Sequence, residues 1–186
     1  MARHPTPARW LQLGRLLRGQ GRLAEARSAF DAALRLTTYD PAPPAELAGV
    51  ALAQGDEAEA GRWLDQALTR DGAYPPALLL KAQLEARAGR GAAALPLLDV
   101  LLARDPNALP GWQLRGQVRL GLGQGVGALA DFRALVERSP GRPEPWVAAA
   151  QVARQIGREA EARQLIAGGL QRFPQSAELR ALAQER

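Results

Sequence analysis

Catalysis needs particular side chains held close together, and this sequence is short of them. It has no cysteine and a single histidine, His4, which removes thiolate nucleophiles, thiolate metal sites and histidine pairs at once. Its three serines, Ser28, Ser139 and Ser176, stand far apart, and no histidine accompanies any of them as a base. The run Gly121-Leu122-Gly123-Gln124-Gly125-Val126-Gly127-Ala128 contains a G-x-G-x-x-A pattern. A dinucleotide loop of that form requires a strand before it and a helix N-terminus under the pyrophosphate. The residues before Gly121 carry helical periodicity instead, so a glycine-rich turn between helices is expected. Glu57, Glu59, Glu159 and Glu161 fall in first turns of helices, where negative charge suits the dipole, and read as solvated surface. No enzyme is expected, with no metal, no cofactor and no small-molecule substrate.

The remaining polar chemistry is that of amides and guanidinium groups. Gln83, Gln117 and Gln151 stand 34 residues apart, each offering a donor and an acceptor to a peptide backbone. Of the 24 basic residues only Lys81 is lysine, against 19 acidic residues, for a net charge of +5. That charge changes sign along the chain: residues 1–40 sum to +4 and residues 41–74 to −4. A nucleic-acid surface shows a sustained basic face with stacking aromatics, so no nucleic acid is expected. No stretch reaches the roughly 18 apolar residues of a membrane helix, and the first residues lack a signal peptide's apolar run. A soluble, cytoplasmic chain without a membrane partner is the expectation, as a monomer or weak homo-oligomer.

The elements that position these groups come from an internal repeat. Gly21, Gly55, Gly89, Gly123 and Gly157 share a 34-residue phase, and so do Ala26, Ala60, Ala94, Ala128 and Ala162. A small column (Gly14, Ala48, Ala82, Gly116, Ala150) and a bulky one (Phe30, Leu64, Leu98, Phe132, Ile166) keep the same phase. Five units follow without insertion, 7–40, 41–74, 75–108, 109–142 and 143–176, after an N-terminal extension 1–6 and before a capping helix 177–186. Each unit reads as two helices separated by its phased glycine, which takes the left-handed conformation at the helix end. Short helix pairs cannot bury their apolar faces alone and must stack. Arg70, Arg104, Arg138 and Arg172 fall in the last turn of second helices, where a cation offsets the dipole. Pro96, early in a second helix, should loosen or delay its start.

Trp10, Leu13, Gly14, Leu17, Ala26, Phe30 and Ala33, and again Trp112, Gly116, Ala128, Phe132 and Pro140, resemble the tetratricopeptide repeat signature over 34 residues. Pro44 replaces the aromatic in the second unit, and Thr38 and Gly72 stand where later units have proline. The resemblance covers residues 7–176 and implies an all-α, right-handed superhelical solenoid of antiparallel helix pairs. It implies a protein-interaction scaffold whose first helices line a concave groove. On that face helical spacing places Arg15, Arg18, Leu52, Gln83, Arg87, Gln113, Gln117, Gln151, Arg154 and Gln155. The partner is expected to be another protein or peptide, presenting an extended, neutral-to-acidic segment, with Ala45, Gly49, Leu52 and Ala53 as a wide apolar floor. The alternative is a regulatory or docking module of a larger enzyme or secretion assembly. Some relatives grip a C-terminal carboxylate with Lys and Asn; the matching positions here are Leu11, Arg15, Glu46, Pro76 and Leu80, so that clamp is not carried over. Finally, Lys81, Glu85, Arg115 and Arg119 occupy columns that are apolar in the first unit; either Glu85 pairs with Arg115 or Arg119 inside the seam, or a rotated helix leaves all four in solvent.

Overall fold

The computed structural model describes residues 6–185. His4 and most of the expected extension 1–6 lie outside them. All regular structure among the described residues is helical: α1 (Pro7–Gly19), α2 (Leu23–Arg35), α3 (Ala42–Ala53), α4 (Glu57–Arg70), α5 (Pro75–Arg87), α6 (Gly91–Arg104), α7 (Leu109–Gly121), α8 (Gly125–Arg138), α9 (Glu144–Gln155), α10 (Glu159–Arg172) and α11 (Ala177–Gln184). The chain divides into two compact units, Met1–Leu84 and Glu85–Arg186. In the first, α1 packs on α2, α2 on α3 and α3 on α4; in the second, α6 packs on α7, and each helix from α7 to α11 packs on the next.

One backbone device closes the first helix of every pair. Gly21, Gly55, Gly89, Gly123 and Gly157 have φ of 75°, 82°, 72°, 73° and 76°, and no other described residue has a positive φ. At Gly21 the amide of Arg22 donates to the Leu17 carbonyl at 2.9 Å, and that of Gly21 to Arg18 at 3.0 Å. The same two bonds recur at Gly123, from Gln124 to Arg119 and from Gly123 to Leu120. This double closure satisfies carbonyls the helix end leaves open, and it needs a left-handed residue. The G-x-G-x-x-A run is therefore a helix-to-helix turn, with Gly121 ending α7 and Gly125 beginning α8.

Packing within the pairs follows size complementarity between two columns. A Cβ at Gly14 would lie 2.3 Å from the Phe30 ring, and one at Gly116 3.0 Å from Phe132. Where the bulky column holds Leu64, Leu98 or Ile166, the small column holds Ala48, Ala82 or Ala150, all fully buried. Pro96 does not delay α6, which begins at Gly91 and carries the proline inside. Its ring and the Ala92 segment are exposed, so water can serve the freed carbonyl while Ala94, Leu98, Leu101 and Leu102 hold the inner face.

Several charges are placed differently from expectation. Glu85 does not reach Arg115 or Arg119; it pairs with Arg90 at 2.5 Å, across the turn that follows its own helix. Lys81 pairs with Asp65. The buried acid of the second unit is Asp131 on α8, 1% exposed. Arg115 Nη2 lies 2.8 Å from one Asp131 oxygen, and Arg119 Nη1 lies 2.8 Å from the other. Asp99 on α6 takes a further bond from Arg115 Nη1 at 2.6 Å. Burial opposes charge on Arg115, yet the hydrogen bond to Asp131 and the field of both acids hold its pKa above the ordinary arginine value.

Glu59 is likewise no solvated carboxylate. Arg27 of α2 grips both its oxygens, at 3.0 and 2.5 Å, and the Trp63 indole N–H donates to it at 3.2 Å. The Arg27 hydrogen bond outweighs burial and holds the Glu59 carboxyl below its ordinary range. Glu161 similarly takes Arg133 at 2.7 Å and Arg158 at 3.2 Å. The last-turn arginines also do more than face a dipole. Arg70 donates to the Asp40 carbonyl at 2.8 Å and Arg138 to that of Pro106 at 3.0 Å, tying each second helix to the connector before its pair. The Trp112 indole N–H donates to the same Pro106 carbonyl, and the guanidinium groups of Arg115 and Arg138 each lie 4.7 Å from its ring.

Candidate functional site

In the second unit the first helices α7 and α9 face each other across a groove of about 400 Å³ whose base is α8. Gln113 and Gln117 project from α7, one turn apart, and Gln151 and Gln155 from α9, also one turn apart. All four side chains are exposed, and among the described residues none has an intramolecular side-chain hydrogen bond. Beneath them lie Leu120, Phe132, Leu135, Pro145 and Val152. The floor is apolar because Phe132 and Leu135 are the inward face of α8, buried at 5% and 6% exposure against the same core as Val152. At one edge Arg142 and Glu144 neutralise each other at 3.3 Å. Glu144 is held below the ordinary carboxylate range, first by its own backbone N–H and then by Arg142.

Such a site presents four amides over a hydrocarbon floor and almost no net charge. Amide pairs donate and accept with equal facility, so the rim matches the alternating N–H and C=O groups of an extended backbone, and the floor takes apolar side chains. The described residues hold no cluster of three or more potential metal ligands and no helix long and apolar enough to cross a membrane.

The other expected residues are placed elsewhere. Arg87 is exposed at the end of α5 and lines a second groove, of about 440 Å³, together with Gln117, Val118 and Leu122. Arg154 holds α11: it donates to the Leu182 carbonyl at 2.6 Å and meets the Glu185 carboxylate at 2.9 Å. In the first unit, Arg15 and Arg18 converge on Glu46 at 2.5 and 2.7 Å, and the Glu46 hydrogen bond raises the Arg15 pKa. Gln83 is half-buried there without a side-chain hydrogen bond. Of the wide apolar floor expected over Ala45, Gly49, Leu52 and Ala53, only Ala53 is exposed. Ala45 is 4% exposed, Leu52 packs into the α3–α4 core, and a Cβ at Gly49 would meet Arg18 Nη1 at 2.5 Å. Glu46 draws Arg18 across α3, and glycine has no side chain to keep it away.

Sequence reasoning missed Asp131, Asp99 and the role of Glu46. A signal was present for Asp131, since two arginines in an otherwise apolar column require an acid nearby. Periodicity alone does not say which helix supplies it.

Comparison with curated protein sequences finds no significant match. Among solved structures, YrrB, described as a tetratricopeptide protein with an unusual peptide-binding site, superposes with a TM-score of 0.74 at 17% identity, over 95% of this chain and 91% of that one. PilF of Pseudomonas aeruginosa gives 0.78 at 19% identity, over 95% and 80%. A thermophilic tetratricopeptide protein of Thermus thermophilus gives 0.62 at 25% identity, over 96% and 97%. Tetratricopeptide repeat models match residues 2–41 and 11–77, and then 51–118 and 119–185. Sequence matches on this scale, over helix pairs that each turn on a left-handed glycine, make the chain a member of the tetratricopeptide repeat family.

Proposed function

We propose that this protein is an interaction scaffold whose groove between α7 and α9 binds an extended segment of another protein. The observation that carries this reading is the quartet Gln113, Gln117, Gln151 and Gln155, unpaired and exposed over an apolar floor. Exposed glutamines are ordinary; four that face each other in pairs over buried phenylalanine and leucine are a surface suited to backbone recognition. The peptide-binding description of YrrB supports the class of ligand. The groove itself favours a neutral segment, since Arg142 and Glu144 cancel and Arg15, Arg18 and Arg154 have partners within the protein. Arg87 supplies the attraction for an acidic residue. A cytoplasmic location accords with this reading.

Peptides selected on the full chain from a random twelve-residue display library test it. A Gln113→Ala/Gln151→Ala double substitution is expected to weaken them roughly thirtyfold, at about 1 kcal/mol for each hydrogen bond. Arg163→Glu, which alters charge on exposed α10, should leave their affinity within twofold. Equal losses in the two variants would place binding outside the groove.

A further inference from the structure

Gln117 belongs to two grooves. On one flank of α7 it borders the space facing α9; on the other it borders the space facing the α5–α6 turn, walled by Leu114, Val118, Leu122, Gly89 and Gly91. Leu122, on the wall of this second groove, is 41% exposed. Apolar surface left open beside a concavity marks a contact site more often than a scattered residue does. The second groove also holds Arg87, which is exposed and has no carboxylate partner among the described residues. An apolar hollow with one unpaired cation at its wall selects an apolar side chain followed by an acid.

We propose that the groove's partner is a polyproline-II-like segment with two apolar side chains three residues apart, one on each flank of α7, and an acidic residue next to the one nearer Arg87. The spacing follows from geometry. Spaces on opposite flanks of one helix are separated by about a helix-packing distance, roughly 8–10 Å. Polyproline II advances about 3.1 Å per residue with three residues per turn, so side chains three apart point the same way about 9 Å apart. That conformation has no internal hydrogen bonds, so the backbone between the anchors is free to meet the Gln117 amide where it crosses α7. This inference rests on the groove reading and narrows it to a motif.

Gly121 makes the test clean. It is exposed, lines only the second groove, and a Cβ there meets nothing within 4 Å, so Gly121→Phe blocks that groove without crowding the core. Selection from the same library on the full wild-type chain should yield two apolar positions three apart with an acid beside one. Selection on Gly121→Phe should lose that anchor and the acid while keeping the other anchor. Arg87→Glu should weaken a wild-type consensus peptide at least tenfold at low salt and less at 0.5 M salt. A consensus with one anchor, another spacing, or no change on Gly121→Phe would overturn the motif; if those peptides still weaken with the Gln113→Ala/Gln151→Ala pair, the groove reading stands. Peptides indifferent to both sets of substitutions would overturn both, and a library yielding no binder overturns the motif.

Discussion

Asp131 accepts from two arginines and is nearly sealed from water, so it shows what a buried charge does in this chain. Removing it leaves Arg115 and Arg119 with Asp99 as their one remaining carboxylate among the described residues. A stranded buried charge costs far more than a surface pair contributes. Asp131→Ala is therefore expected to lower stability by about 3 kcal/mol in denaturant unfolding. Asp99→Ala, at a side chain 55% exposed, is expected to cost under about 1 kcal/mol. Comparable losses would show that Asp131 is not the hub. These contacts were only half legible in the sequence. The intruding arginines stood out because they broke an apolar column, but Glu85 was the acid nearest in repeat register and Asp131 the nearest in space. Likewise Arg15 and Arg18 looked free for a ligand until Glu46, one repeat later, was placed beside them.

Helix pairs in this chain close on two small positions, the glycine of the turn and the small column, and both were legible. The turn glycine is readable because one backbone conformation has one inexpensive residue. The small column is readable in phase, but its alternation between Gly and Ala became meaningful only against the bulky column. Gly faces Phe in the pairs α1–α2 and α7–α8, and Ala faces Leu in α3–α4 and Ile in α9–α10. Gly14→Ala should therefore force the Phe30 ring aside and cost about 1–3 kcal/mol by overpacking. Phe30→Leu alone should leave a cavity and cost about 1 kcal/mol or more. The double variant recreates the Ala–Leu pairing of α3–α4 and should be more stable than the two losses added together, by at least about 1 kcal/mol. Additive losses in thermal or denaturant unfolding would mean that the two columns do not read each other. Pro96 teaches the opposite lesson at this scale: its local rule predicted a late helix start, and an exposed outer face let packing of the inner face override it.

Across the molecule, stability is distributed by neighbours, since the packed helices of each compact unit lie close to one another in sequence. Such arrays gain stability from each interface and lose it locally when one is removed. The last interface is formed by α11, whose Leu182, 7% exposed, packs on Ile166 and Ala150, and whose Leu179, 0% exposed, lies against Gly169 of α10. Arg154 fastens it by bonding the Leu182 carbonyl and the Glu185 carboxylate, and the Ser176 side chain caps its first turn. Deleting residues 177–186 should uncover Ile166 and leave Arg154 without those acceptors. Hydrogen exchange should then accelerate most in α10 and α9, less in α8 and α7, and not at all in α1–α4, because the helices that α11 packs on are α9 and α10. The uncovered apolar face should also promote association at high concentration, read by light scattering. Arg154→Ala in the full chain separates the two contributions of α11: it should quicken exchange in α11 itself while the buried leucines keep α9 and α10 protected. Acceleration spread evenly over both units after the deletion would mean that the chain unfolds as one cooperative body. Unchanged exchange in α9 and α10 after the deletion would mean that the last pair is stable without its cover, and that the leucines of α11 add little beyond solubility.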